Sequence, residues 1–139
     1  MHRTYSKLGA LIAMASVIIG AFGAHYLKSL LSIQSMESIE TATFYQFVHA
    51  LGLFAVANNY RYYRKKRIIW AGNMMVVGII LFSGSIYLRI LMESLGYGNG
   101  WMVAMITPLG GLCLILSWLM LFVGIPSADI EEPKKNEEN

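Results

Sequence analysis

The chain has 139 residues, of which 56% are hydrophobic and 14% charged. An average soluble domain is about 45–50% apolar and about 25% charged, so the composition points away from an ordinary soluble domain and towards a membrane protein. The net charge of +3 is partitioned by segment, and the single cysteine, Cys113, excludes an intrachain disulfide.

Four apolar runs cover most of the chain, at 8–27, 44–60, 68–92 and 101–125. A helix needs about 20 apolar residues to cross a bilayer core. The first, third and fourth runs meet that length, and the second meets it if it starts near Thr41. The pattern predicts an all-α, integral-membrane four-helix bundle. It forms one membrane domain, 1–126, with spans near 8–27, 41–60, 68–92 and 101–125. An acidic, disordered tail, 127–139, is expected to follow.

The first run follows Arg3 and Lys7, and residues 21–23 resemble a small-x-small cleavage site. The run is long for a signal h-region, so it is expected to remain as a span. Gly9, Ala13, Ser16, Gly20 and Gly23 recur at alternating four- and three-residue steps, and Ser16, Gly20 and Ala24 form a small-xxx-small series. Small residues let membrane helices approach closely, so this side is expected to touch another helix, in the same chain or a neighbour. The stretch 29–43 mixes Leu, Ile and Met with Ser, Gln and Glu, which predicts a short interfacial helix.

The second run presents Gln46, His49, Gly52 and Val56 on one side. It ends at a basic loop, where Arg61, Arg64, Lys65, Lys66 and Arg67 stand without an acid. Cytoplasmic loops are enriched in Lys and Arg, so this loop and both termini are expected inside. Tyr60, Tyr62, Tyr63 and Trp70 flank it at the height where aromatic rings favour headgroups. The loop is too short and tethered for nucleic acid. Anionic lipid headgroups are the expected partner of the five basic residues, at ~1 kcal/mol per residue near the surface.

The third run carries Phe82, Ser83, Gly84, Ser85 and Arg89, with Glu93 four residues further on to pair with Arg89. The fourth contains Thr107, Pro108, Leu109, Gly110 and Gly111. Proline removes a donor and disfavours helix at the residue before it, so a kink is expected at Pro108. Gly110 and Gly111 are expected to allow close helix packing.

Rise per residue places His49, Ser85 and Thr107 ~8–10 Å inside the outer boundary and Gln46 and His25 ~3–5 Å inside it. Intramembrane polar groups usually face the bundle interior. His25, Gln46, His49, Ser83, Ser85, Arg89 and Thr107 are therefore expected to form one polar layer. The structural reading, in which these groups bond each other, is favoured over a site or proton path, because His25 and Arg89 sit close enough to the interface to snorkel. His49 is the best functional candidate, since imidazole exchanges protons near neutral pH.

No phosphate-binding glycine loop, HExxH helix or CxxC pair occurs. No catalytic residue, metal or cofactor is expected. The depths of His25 and His49 differ by ~6 Å, which disfavours a shared metal or haem, and the nine methionines are common core filler.

Four ordered motifs carry a resemblance. They are GAFGAH at 20–25, TA with YQ and HAL across 41–51, FSGSIY at 82–87 and ITPLGG at 106–111. In these the chain resembles the YgdD/YwdK-like family of small inner-membrane proteins (domain of unknown function 423). The family's usual glycine before the tryptophan of span four is Ser117 here. The resemblance implies a four-span protein of the bacterial inner (plasma) membrane and brings no activity, substrate or cofactor. The expected function is non-enzymatic packing or assembly, with copies of itself or within a larger membrane complex. The alternative is a small transporter or proton-coupled permease component using His49, Gln46 and Arg89. A haem- or metal-binding electron carrier is a weaker third reading.

Overall fold

The computed structural model describes residues 1–98 and 100–126, with the side chain of Ala24 also outside the described set. The expected disordered tail, 127–139, falls outside the described residues. All regular structure among the described residues is helical.

Helix α1 spans His2–His25, starting ahead of the apolar run because its first turn holds no glycine or proline. A short 3-10 turn, Leu27–Ser29, follows. Helix α2, Ile33–Tyr63, begins at Ser32, whose hydroxyl accepts from the Ser35 N–H at 3.1 Å and satisfies one of the orphan donors of the first turn. No glycine or proline interrupts the chain from Ile33 to Leu51. The separate interfacial helix expected at 29–43 is therefore not formed, and most of that stretch is the start of α2. Arg64 ends α2 in the left-handed region, φ 48°, and its N–H caps the Tyr60 carbonyl. Helix α3, Lys66–Ile79, passes through a π-helical segment, Ile80–Gly84, into α4, Ser85–Ser94. Gly96, Gly98 and Gly100 then take positive φ, 80°, 82° and 55°, where a β-carbon would be strained. A single turn, α5 (Trp101–Ala104), leads through Met105 and Ile106 into α6, Thr107–Gly124. Pro108 lies in the first turn of α6, where its missing N–H would have had no intrahelical partner.

Close contacts fix the register. Gly9 abuts Ala50 and Phe54, Ser16 reaches Thr43, and Gly23 abuts Ile39, so α1 and α2 run antiparallel along most of α1. Gly124 abuts Ile68, Gly78 abuts Leu114 and Gly110 abuts Leu81 and Phe82, so α6 runs antiparallel to α3 and the π segment. The two pairs join where Gly72 meets Tyr5 and Val56. The main core lies there, around Leu53, Val56, Ile68 and Met75, all fully buried. A smaller cluster of Ile39, Ala42, Ile86 and Ile90 fills the other end.

Much of the outside is apolar. Leu11, Val17, Phe22, Leu112, Ile115 and Phe122 are all exposed. In water such a surface would drive association, whereas hydrocarbon solvates it. His2–Gly23, Lys66–Ser94 and Trp101–Gly124 are long and apolar enough to cross a membrane. Helix α2 is longer than any of these but is diluted by Glu37, Glu40, Gln46, His49, Asn58 and Asn59.

Candidate functional site

The polar side chains between the helices form several short links, most of them ending on backbone carbonyls. Gln46, 6% exposed, donates from Nε2 to the Ile12 carbonyl at 3.0 Å and accepts at Oε1 from the Tyr87 hydroxyl at 2.9 Å. One amide thus ties α2 to both α1 and α4. Ser16 donates to the Thr43 carbonyl at 2.7 Å. Ser83, 1% exposed, donates to the Ala42 carbonyl at 2.8 Å. Ser85 and Thr107 share a hydroxyl–hydroxyl bond of 2.7 Å, joining the start of α4 to the start of α6. Each link satisfies a group that would otherwise be costly in an apolar interior. Among the described residues, no fully buried side-chain nitrogen or oxygen lacks a partner.

The single layer expected from depth resolves into separate sets. Gln46, Ser83, Ser85 and Thr107 lie on helix–helix contacts. His49 is buried, but its recorded hydrogen bond is within α2, from Nδ1 to the Tyr45 carbonyl at 2.7 Å. A carbonyl only accepts, so Nδ1 carries the proton and the lone pair of the neutral ring lies on Nε2. The ring sits among aromatics, 5.9 Å from Tyr45 and 6.0 Å from Trp118 between centroids, and bonds neither Ser85 nor Thr107. Arg89 stands at the rim, donating to Ser38 Oγ at 3.2 Å and facing Glu93 at 3.8 Å. His25 is exposed in the last turn of α1 and does not join the others. Helical rise alone gives height, and rotation about the axis separates residues of equal height.

The small residues of α1 are mostly spent inside the chain. A β-carbon on Gly9 would lie 2.8 Å from the Ala50 carbonyl oxygen. Ser16 is buried, Ala13 half-buried, and Gly23 lies against Ile39 and Met36, whereas Gly20 has open space. The side chain of Ala24 is outside the described set. At the far crossing, Gly110 meets the backbone of Leu81 and Phe82, and a β-carbon on Gly111 would rest 3.7 Å from the Phe82 ring. Ser117, where the family usually has glycine, is fully buried and donates to the Leu114 carbonyl at 2.7 Å, so the packing stays close.

Arg61, Arg64, Lys65, Lys66 and Arg67 are all exposed at the α2–α3 turn. The sequence reading missed three partners: Tyr87 on Gln46, Ser38 on Arg89, and Tyr5, which donates to Asn73 Oδ1 at 2.8 Å and lies near the Ile69 carbonyl at 3.1 Å. A helical face continued back from Leu8 would have reached Tyr5, three residues earlier. Among the described residues, no group of three His, Cys, Asp or Glu side chains is placed to hold a metal. The five principal cavities lie towards the ends and the lateral surface, and His49 lines none of them.

An all-helical chain with an apolar exterior and a bonded polar interior is a membrane protein by its class. The comparisons with known proteins agree. The family described as "Protein of unknown function (DUF423)" matches residues 19–111. The UPF0382 membrane protein SSP2132 of Staphylococcus saprophyticus is 40% identical over 88% of this chain and 96% of its own. The UPF0382 membrane protein YwdK of Bacillus subtilis is 37% identical, covering 87% and 94%. The UPF0382 inner membrane protein YgdD of Escherichia coli is 32% identical, covering 78% of each. The chain belongs to this UPF0382 (DUF423) family of membrane proteins. No solved structure matches it.

Proposed function

We propose that this chain is a non-enzymatic, four-span component of the cell inner membrane that serves through packing and assembly, with its interior polar groups acting as ties between helices. The observation that carries this reading is Gln46, whose amide donates to α1 and accepts from α4. A group committed at both ends is poorly disposed to bind or relay a passing solute. The carbonyl-directed bonds of Ser16 and Ser83 support the same role.

Four crossings are supported by register. Helix α2 lies antiparallel along α1 from Gly23–Ile39 to Gly9–Phe54, so a membrane deep enough to contain α1 contains that part of α2. From Phe44 to Phe54 the exposed face of α2 is Phe44, Tyr45, Phe47, Leu51 and Phe54, which suits lipid. At about 46 Å, the 31 residues of α2 exceed a hydrocarbon core of about 30 Å, so its Ser- and Glu-bearing start projects beyond the membrane. The basic turn then faces the cytoplasm with both termini, bound to anionic headgroups. A bend near Pro108 is supported by the interruption of the helix at Met105–Ile106, immediately before the turn that holds the proline.

The small-residue side of α1 gives less support to self-association than its sequence suggested, because α2 covers it. The lateral surface left for a neighbour is the shallow depression lined by Val17, Gly20, Phe44 and Phe47. Transport is the competing reading, and flux separates the two. Wild-type protein and Gln46→Leu, each reconstituted in proteoliposomes, are expected to give the same proton leak as empty vesicles. A wild-type proton flux that Gln46→Leu or His49→Leu abolishes would overturn the proposal.

A further inference from the structure

Two neighbouring cavities at the end of the bundle opposite the basic turn share Leu27, Leu31, Ile90 and Ser94 in their walls. They differ in chemistry. The smaller, about 290 Å³, is almost wholly apolar and reaches inward to Ile19, Ile39 and Tyr87. The larger, about 490 Å³, adds Ser32, Ser35 and Glu93 at its mouth. An apolar slot that opens into a polar vestibule has the shape of an amphiphile. The roof is the connector between α1 and α2, which keeps Tyr26 and Leu30 exposed at this end.

The charges at the mouth choose the head. Glu93 is the one charged residue in the wall of the larger cavity. Its contact with Arg89 is long, at 3.8 Å, and Arg89 also spends a donor on Ser38. A carboxylate so weakly paired can accept from an ammonium group. Lys28, which lines the adjoining cavity across Leu31 together with Glu37 and Glu40, supplies a cation for a phosphate. We infer that this cleft binds a membrane phospholipid with a primary-amine headgroup, one acyl chain lying in the Ile19–Ile39–Tyr87 slot and the ammonium set against Glu93. The inference rests on membrane placement but not on which side faces the cytoplasm, nor on the absence of flux.

The test uses the full chain reconstituted in nanodiscs of phosphatidylethanolamine and phosphatidylglycerol, then released for native mass spectrometry of retained lipid. Enrichment of phosphatidylethanolamine over its bulk ratio is expected at roughly two- to fivefold, the size of a partly exposed ion pair. Glu93→Gln should bring the ratio to bulk. Ser94→Trp, an exposed position in both walls, should remove the retained lipid while leaving the melting temperature unchanged. Discs of phosphatidylcholine, whose quaternary head cannot donate, should show no enrichment. A wild-type ratio equal to bulk, equal retention of phosphatidylcholine, or retention indifferent to Ser94→Trp would overturn the inference. So would displacement of all retained lipid by stoichiometric dodecylammonium, which would make the ligand a diffusible amine.

Discussion

Gly110 lies against the backbone of Leu81 and Phe82 so closely that a β-carbon on it would stand 2.7 Å from the Leu81 carbonyl carbon. The π-helical segment Ile80–Gly84 presents its main chain to α6 at this point. Backbone cannot move aside as a flexible side chain can. Gly110→Ala should therefore destabilise the fold by about 1–3 kcal/mol, as overpacking does. Gly20→Ala, with open space around it, should instead gain about 0.5–1 kcal/mol from lower chain entropy. Unfolding in mixed micelles with rising SDS, read by circular dichroism, compares the two. Equal effects would mean that α6 does not approach the π segment.

Arg64 ends α2 with φ 48°, the one non-glycine residue with positive φ among the described residues. An L-residue held there costs roughly 1–2 kcal/mol. Arg64→Gly should raise stability by up to about 1 kcal/mol. Lys65, in extended backbone, should gain nothing from the same change. Thermal melts of both variants in one detergent decide this, and a loss at Arg64→Gly would show that the turn differs.

Membrane crossing is tested by single cysteines in a Cys113→Ala background. Lys28, Tyr62 and Tyr97 are all exposed and lie between successive spans of the proposed four-span arrangement. A membrane-impermeant maleimide added to intact cells should label Lys28→Cys and Tyr97→Cys. Tyr62→Cys should react only after permeabilisation. Labelling of Lys28→Cys and Tyr62→Cys from the same side would remove α2 from the list of spans.

Most of the helical layout was legible because apolar runs of membrane length leave few alternatives. The continuity of α2 was hidden by its mixed composition between Ile33 and Thr43, although Ser32 supplied a cap and no breaker followed. The polar groups were legible as residues and as heights, not as partners. Ser85 and Thr107 meet because the start of α6 packs on the π segment that ends beside Ser85, whereas His49, at similar height, turns towards Tyr45 and Trp118. Rotation about each helix axis, set by Gly78 and Gly110 against Leu114 and Phe82, decides such meetings, and no local run of sequence records it. Tyr87 was legible only as the last residue of the FSGSIY motif, and its bond to Gln46 depends on the same rotation.

The double-mutant cycle of Gln46→Leu and Tyr87→Phe, read as unfolding free energy in detergent, tests most directly whether the interior polar groups hold the helices together. Interhelical hydrogen bonds in membranes average about 0.6 kcal/mol and reach about 1.7 kcal/mol. The account predicts a coupling within that range, with Gln46→Leu the costlier single change because it also abandons the Ile12 carbonyl. A coupling of zero, with Gln46→Leu as stable as wild type, would contradict it.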